Sequence, residues 1–417
     1  MSLRVFVSSW LFAPSTGSAD VDLFKRLRHC DAQFEVVQVR GRLVDPRLLD
    51  FPSRARFVRH EVDLADAQPR SQGARERFIE AVVERFSPDR HQLVLSHSNE
   101  VPSHEAALRV KRLNPDVPWV AYFGDLVSQN PYVRHMREYP LFEDDCYVEE
   151  QTLRHADVII CNNPYQASLM AARVPREVGA PIIVIPHPYD PRFVEPQVRT
   201  TEGPFTFMHL GALYPVKRMA SPVLRAIDLL LEVYPALANR LQMLFIGDDV
   251  SDADLAAWRR MANPHVVRFI PGVSYLASLD LMQRADALVL IDGLFNRHDD
   301  GIESSPFMPG KLADYLGAGR RILGITMEQG SSADWLRAAG QSVVSENPQA
   351  IAFAMKRLVE GRFPQPRPPL RLRAELVGAE MELVMRAALV GKAGLAALPV
   401  LQERLVRTVL AHEASAQ

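Results

Sequence analysis

The sequence predicts an α/β protein built from two doubly wound domains that face each other across a cleft. Three observations predict it. Short apolar runs of four to six residues alternate with longer helical patterns. That alternation means a parallel sheet covered by helices on both faces. The rhythm occurs twice, and a proline-rich stretch separates the two rounds.

In the first round the strands are expected at 4–9, 34–39, 57–62, 92–96, 119–123, 158–162 and 182–186. Helical patterns at 21–28, 75–86, 103–113 and 143–155 lie between them. In the second round the strands are expected at 205–210, 242–247, 266–270, 287–292, 321–326 and 342–345. The helices between them fall at 221–234, 252–261, 276–284, 310–317, 332–339 and 348–360. Residues 186–204 hold Pro186, Pro188, Pro191, Pro196 and Pro204, the composition of a linker. A second proline-rich stretch, 363–369, precedes a helical tail. The expected domains are therefore 1–190 and 191–364, with the tail, 365–417, returning to the first. Ligands of open α/β sheets bind at the carboxyl ends of the strands, so the site is expected in the cleft.

The totals bound the function. A chain of 417 residues exceeds one ordinary core. A formal charge of −2 argues against a nucleic-acid protein. Cys30, Cys146 and Cys161 are far apart and form neither a metal pattern nor a disulfide framework. No export segment or membrane span is read, so a cytoplasmic protein is expected.

The most informative segment runs from Pro309 to Gly319. Pro309 and Gly310 open a helix, Lys311 adds a cation, and Asp314 follows about one turn in. A helix N-terminus suits a phosphate, and a carboxylate one turn along suits a vicinal diol. Diphosphate plus diol describes a nucleotide sugar; the alternative is a core helix with a polar start. Strand 205–210 runs into Gly211, followed by Lys217 and Arg218, two cations able to meet a diphosphate. Gly247 stops the next strand. Asp252 reads as a helix cap rather than a metal ligand, and Ser274 as another cap. The long polar segment 293–308 carries Arg297, His298, Asp299, Asp300 and Glu303.

These residues resemble the nucleotide-sugar-binding domain of the retaining glycosyltransferases of family 4, which have the two-Rossmann-domain GT-B fold. The Gly211 to Lys217 run is similar to that family's glycine-turn-lysine segment, and the Pro309 segment to its Pro-x-Lys-Leu-x-Glu-Tyr-Leu pattern. The resemblance covers most of 205–360. It implies Lys217 on the donor diphosphate, where it would also serve catalysis, and Asp314 on the ribose. Arg218, Gly247, Val273, Gly310, Lys311 and Leu312 complete the expected donor site, with Gly17 contributed by the first domain. Three departures stand out, the first being that Asp314 stands where the family has its second glutamate. Ala212 occupies a position where the family often has arginine, and Pro306 stands where its first glutamate falls. Glu303, three residues upstream, is the candidate substitute.

In the first domain, the segment from Ala121 to Tyr132 resembles one found in bacterial polysaccharide members of the family. Asp125 is the candidate catalytic group near the acceptor hydroxyl, with His97 as a second acceptor-side candidate; the alternatives are a turn aspartate and a structural histidine. The expected reaction moves a sugar from a nucleoside-diphosphate donor to a carbohydrate or lipid-linked acceptor, with retention and without a metal or other cofactor. The competing readings are a sugar-nucleotide-binding subunit without activity, an epimerase, and an inverting transferase. The tail, with Arg367, Arg371 and Arg373 before the apolar stretch 380–401, is expected to pack on the domains; the alternative is peripheral contact with the inner face of the membrane.

Overall fold

The computed structural model describes residues 2–41, 43–64, 71–97, 100–134, 141–175, 177–193, 203–214, 217–248, 250–361, 363 and 366–415. Pro196 of the linker, Pro215 and Val216 of the Gly211 loop, and Pro364 and Gln365 before the tail lie outside them. The chain divides into two compact units, Met1–Tyr189 with Leu370–Gln417, and Asp190–Pro369.

Among the described residues, unit 1 holds β1 (Leu3–Ser9), β2 (Ala32–Val39), β3 (Arg56–Val62), β4 (Leu93–His97), β5 (Trp119–Tyr122), β6 (Val158–Cys161) and β7 (Ile182–Val184). They form one parallel sheet in the order β3-β2-β1-β4-β5-β6-β7. Unit 2 holds β8 (Phe205–Leu210), β9 (Leu241–Ile246), β10 (Val267–Ile270), β11 (Ala287–Ile291), β12 (Arg321–Ile325) and β13 (Ser342–Val344). Their order is β10-β9-β8-β11-β12-β13, again parallel throughout. Each expected strand is present. The central ones, such as β6 and β11, are buried along their whole length, which is why they read as unbroken apolar runs.

Three local readings are corrected. Ser251, not Asp252, caps the helix Asp252–Arg259, because its hydroxyl accepts from the Asp254 N–H at 3.1 Å. Asp254 is itself buried and accepts from the Ser221 N–H at 2.8 Å, supplying the cap that helix Ser221–Val233 lacks. A helix at Pro164–Ala171 was not anticipated, although Asn163 with a proline behind it is a capping signal. The tail is two helices, Ala374–Val390 and Lys392–Ser415, broken at Gly391, whose φ is +76°.

The tail is part of unit 1. Glu382 accepts from the Asp31 N–H at 2.7 Å, and the Cys30 thiol lies 3.3 Å from the Gly378 carbonyl. Where the chain leaves and re-enters unit 1, Tyr189 donates to the Leu372 carbonyl at 2.8 Å and accepts from the Ala374 N–H at 2.9 Å. Arg371 is spent internally. It grips the fully buried Glu380 through two bonds of 2.5 and 2.8 Å, and Gln402 donates to the same carboxylate at 2.8 Å. No helix among the described residues is long and apolar enough to cross a membrane.

Removing one partner of a buried pair strands the other charge. Arg371→Met is therefore expected to cost unit 1 about 3 kcal/mol at neutral pH, read as a lower urea midpoint. The deficit should shrink in acid as Glu380 takes a proton. A midpoint unchanged at pH 7 would show that the pair does not hold the tail.

Candidate functional site

The site in unit 2 starts where β8 and β9 end. Gly211 has φ +102°, a conformation that suits glycine, and its N–H donates to the Ile246 carbonyl at 2.8 Å. A Cβ on residue 211 would lie 2.8 Å from Lys311 Nζ, and one on residue 247 would lie 2.6 Å from the Gly211 carbonyl oxygen. The two glycines thus let backbone and a lysine head pack together at the sheet edge.

The expected cations take different partners. Lys217 is nearly buried, and its ammonium bonds Asp300 Oδ2 at 2.6 Å and lies 5.5 Å from the centre of the Phe295 ring. Arg218 is buried over the Tyr214 ring, with Nη2 3.6 Å from Asp292 Oδ1. Asp292 also accepts from the Ser332 hydroxyl at 2.5 Å and the Gly293 N–H at 2.7 Å. Lys311 Nζ is buried and makes no hydrogen bond among the described residues. Burial first, then the Arg218 guanidinium, holds its pKa well below the usual lysine range, and Asp292 offsets only part of this. Burial also pushes Asp292 up against the pull of Arg218.

Helix Gly310–Gly317 follows Pro309 with no side-chain cap and no acidic residue in its first turn. Asp314, one turn in, is nearly buried and accepts from the Tyr275 hydroxyl at 3.1 and 3.2 Å. Tyr315 reaches back to β8, where its hydroxyl accepts from the Leu210 N–H at 2.8 Å and so fixes the helix to the strand before Gly211. Leu312 is core, so only its backbone is available to a ligand. Val273 is exposed, two residues before Tyr275, and Ser274 caps the helix between them. Glu303 does not turn inward. It pairs at 2.6 Å with Arg297 on the surface, and the buried carboxylate of that segment is Asp300. Asp292 and Tyr275 were not singled out from the sequence, and Asp300 was read only as one of several charges of the segment 293–308, because each acts on a partner distant in the chain.

In unit 1 the register sets Ser9, His97 and Tyr122 in one row across β1, β4 and β5. His97 is buried and stacked on Tyr122 at 4.7 Å, and burial pulls its pKa down to about 3. Gly17 donates to Asp20 Oδ2 at 3.1 Å, and Ser15 donates to the same oxygen at 2.7 Å. The helix start that Gly17 precedes is thus already faced by the chain's own carboxylate. Asp125 is half-buried after β5. The loop behind it is held by the buried Glu149, which accepts from the Val127 and Ser128 N–H groups at 2.8 and 3.1 Å.

Sequence reasoning missed a polar network beneath this edge. Asp22 bonds Arg26 Nε at 2.8 Å, His187 Nδ1 at 2.8 Å and the Tyr122 hydroxyl at 2.7 Å. Asn162 donates to the other nitrogen of His187 at 3.0 Å. Burial would raise the Asp22 pKa, but Arg26 and then His187 outweigh it and hold the carboxyl well below the usual range.

No protein-family model and no curated protein matches the sequence. Solved structures match over nearly the whole chain. An α,α-trehalose-phosphate synthase (UDP-forming) from Burkholderia xenovorans, in complex with glucose-6-phosphate, is similar with a TM-score of 0.63 and 12% identity, over 93% of this chain and 100% of that one. WaaG, a glycosyltransferase involved in lipopolysaccharide biosynthesis, gives 0.59 and 13% identity over 94% and 100%. A protein assigned as a UDP-N-acetylglucosamine 2-epimerase, from Listeria monocytogenes, gives 0.58 and 10% identity over 93% and 96%. At such identities the likeness is one of fold. The two parallel sheets with their helices are those of the GT-B fold.

The buried histidines give a pH signature. Burial lowers the pKa of His97 to about 3, and that of His209, whose Nδ1 donates to the Val289 carbonyl at 2.9 Å, well below the usual value. A depressed folded-state pKa means that the unfolded chain binds the proton more readily. Stability is therefore full above pH 6.5, the ordinary value of an unfolded imidazole, and declines as pH falls toward the folded value. Each histidine contributes a slope of up to about 1.4 kcal/mol per pH unit. Urea midpoints should fall between pH 6.5 and 4.5, and His97→Gln should flatten its share of the slope. A flat profile would show that these histidines are protonated when folded.

Proposed function

We propose that the protein is a glycosyltransferase that binds a nucleoside-diphosphate sugar in unit 2 and passes the sugar to a carbohydrate or lipid-linked acceptor, with retention. One observation carries the reading. A helix start with cations beside it and a nearly buried carboxylate lie one turn apart on one helix, at the carboxyl edge of a parallel sheet, the pairing that a diphosphate and a diol would need. The first is the uncapped start at Gly310 with Lys311 and Arg218. The second is Asp314, with Tyr275 on its carboxylate. A fold shared with a UDP-forming synthase and a lipopolysaccharide glycosyltransferase supports it.

The chemistry follows from charge. Breaking the glycosidic bond leaves a nucleoside diphosphate with growing negative charge on its outer phosphate. Preorganised donors at such a position are worth about 10²–10³ in rate each. Arg218, Lys311 and the first-turn N–H groups supply them, so we read the reaction as independent of metal. The Lys217–Asp300 pair braces the adjoining loop. Asp314 holds the ribose diol. In unit 1, Asp125 orients the acceptor hydroxyl, whose proton passes to the departing phosphate. We place the reaction in the cytoplasm.

The test is release of nucleoside diphosphate from a panel of nucleotide sugars, with the product's anomeric configuration read by proton NMR. Retention is expected. An inverted product, or a donor isomerised without transfer, would replace this reading with an inverting transferase or an epimerase. Asp314→Ala should raise the donor KM about 10- to 100-fold, the loss of a charge-assisted hydrogen bond. Asp125→Asn should lower kcat by about 10²-fold while donor binding, measured by calorimetry, is unchanged.

A further inference from the structure

The basic cluster of unit 2 holds two cations and one carboxylate. Arg218 and Asp292 lie 3.6 Å apart, and Asp292's remaining bonds come from Ser332 and Gly293. Lys311 is left over. Its Nζ is buried, packs against Gly211, and has no hydrogen-bond acceptor among the described residues. Its place also runs against the helix. A cation in the first turn meets the positive end of the macrodipole, which favours an anion there. Nothing in the packing of the described residues of the unit explains a lysine at this point, whereas a doubly charged ligand does. Lys217, the other candidate, is already paired with the buried Asp300 at 2.6 Å.

We propose that Lys311, not Lys217, anchors the diphosphate of the ligand, and that its amine takes up a proton from solvent as the diphosphate binds. This rests on the donor-site reading above. The step is a protonation alone: the neutral amine gains H⁺ from bulk water and its buffer, and no bond of the ligand changes. The groups that face the amine set its direction. Arg218 from the loop after β8 and the helix start repel a charge on it, and Asp292 after β11 attracts one. His209 on β8 is itself held neutral by burial, so it does not supply the proton. Tyr315, on the same helix, is occupied at Leu210, and burial raises its pKa, so it keeps its proton. Asp314 is held by Tyr275. A diphosphate arriving beside Nζ reverses the local balance and makes the ammonium the favoured form.

Isothermal titration with UDP, ADP and GDP tests this at about pH 8, where a terminal phosphate with a second pKa near ~6 is fully ionised. Runs in two buffers of different ionisation enthalpy count the protons exchanged. The expected result is net uptake of up to about one proton per nucleotide by the wild type. Lys311→Met should abolish the uptake and weaken binding about 10- to 100-fold. Lys217→Met should keep the uptake. Binding by the wild type without uptake, or uptake lost in Lys217→Met but kept in Lys311→Met, would overturn the inference and leave the donor site standing. If none of the three nucleotides binds, the donor-site reading falls, and this inference with it. The wild-type measurement needs no variant, so misfolding of Lys311→Met would not leave the matter open.

Discussion

A parallel sheet with crossover helices points every helix start at the same edge, and that constraint organises both units. Each start brings unpaired N–H groups and a positive partial charge that something must meet. Unit 1 meets them with its own carboxylates. Asp20 faces the helix start after β1, while Glu105 and Asp145 stand in the first turns of their helices and share Arg75. Burial, reinforced by Glu100 and Glu105 against the pull of Arg75, pushes Asp145 up to about 6, a sign of how many acids crowd that edge. Unit 2 treats the start at Gly310 in the opposite way, with no acid and a lysine. The contrast belongs to that one start: elsewhere in unit 2 Asp254 meets the start at Ser221, and Asp334 stands in the first turn of the helix at Ser331.

The two buried polar clusters show the same contrast in their bonding. Around Asp22, each partner satisfies another: Arg26, His187 and Tyr122 converge on one carboxylate, and Asn162 completes the imidazole. A fully connected network of this kind rigidifies what it touches. Around Asp292 the connections stop short at Lys311. A buried group without a partner is costly, and such departures from local satisfaction concentrate where function requires them.

The fold was legible because its central strands are buried on both faces and therefore spell themselves out as apolar runs between helices. The Gly310 helix was legible for the same reason: its signal is local. The allocation of charges was not. Lys217 and Lys311 look equivalent along the chain, and what separates them is Asp300, 83 residues from Lys217 and brought back by the loop after β11. Glu303 was the candidate substitute three residues away from the position that Pro306 occupies, yet it turns outward to Arg297, and the buried carboxylate of that segment is Asp300. His187 and Asp22 lie 165 positions apart, and no periodicity links them. Sequence patterns report burial well and pairing poorly, because burial repeats locally and pairing is settled by the tertiary fold.

The bridge at Tyr189 has a bearing on how the chain is organised as a whole. Residues 190–369 leave and return at points tied together by two backbone hydrogen bonds, between Tyr189 and the pair Leu372 and Ala374. Topologically, unit 2 is an insertion between Tyr189 and Leu370 of unit 1, at a seam whose residues Tyr189, Leu372 and Ala374 are buried. Closing the gap in unit 1 would need only a short splice, since loop-closure entropy grows slowly with loop length and the ends already meet. The architecture is therefore modular in the sense that matters for recombination. One inserted unit can be exchanged for another at a single seam, with the bonds of Tyr189 to Leu372 and Ala374 kept in the host.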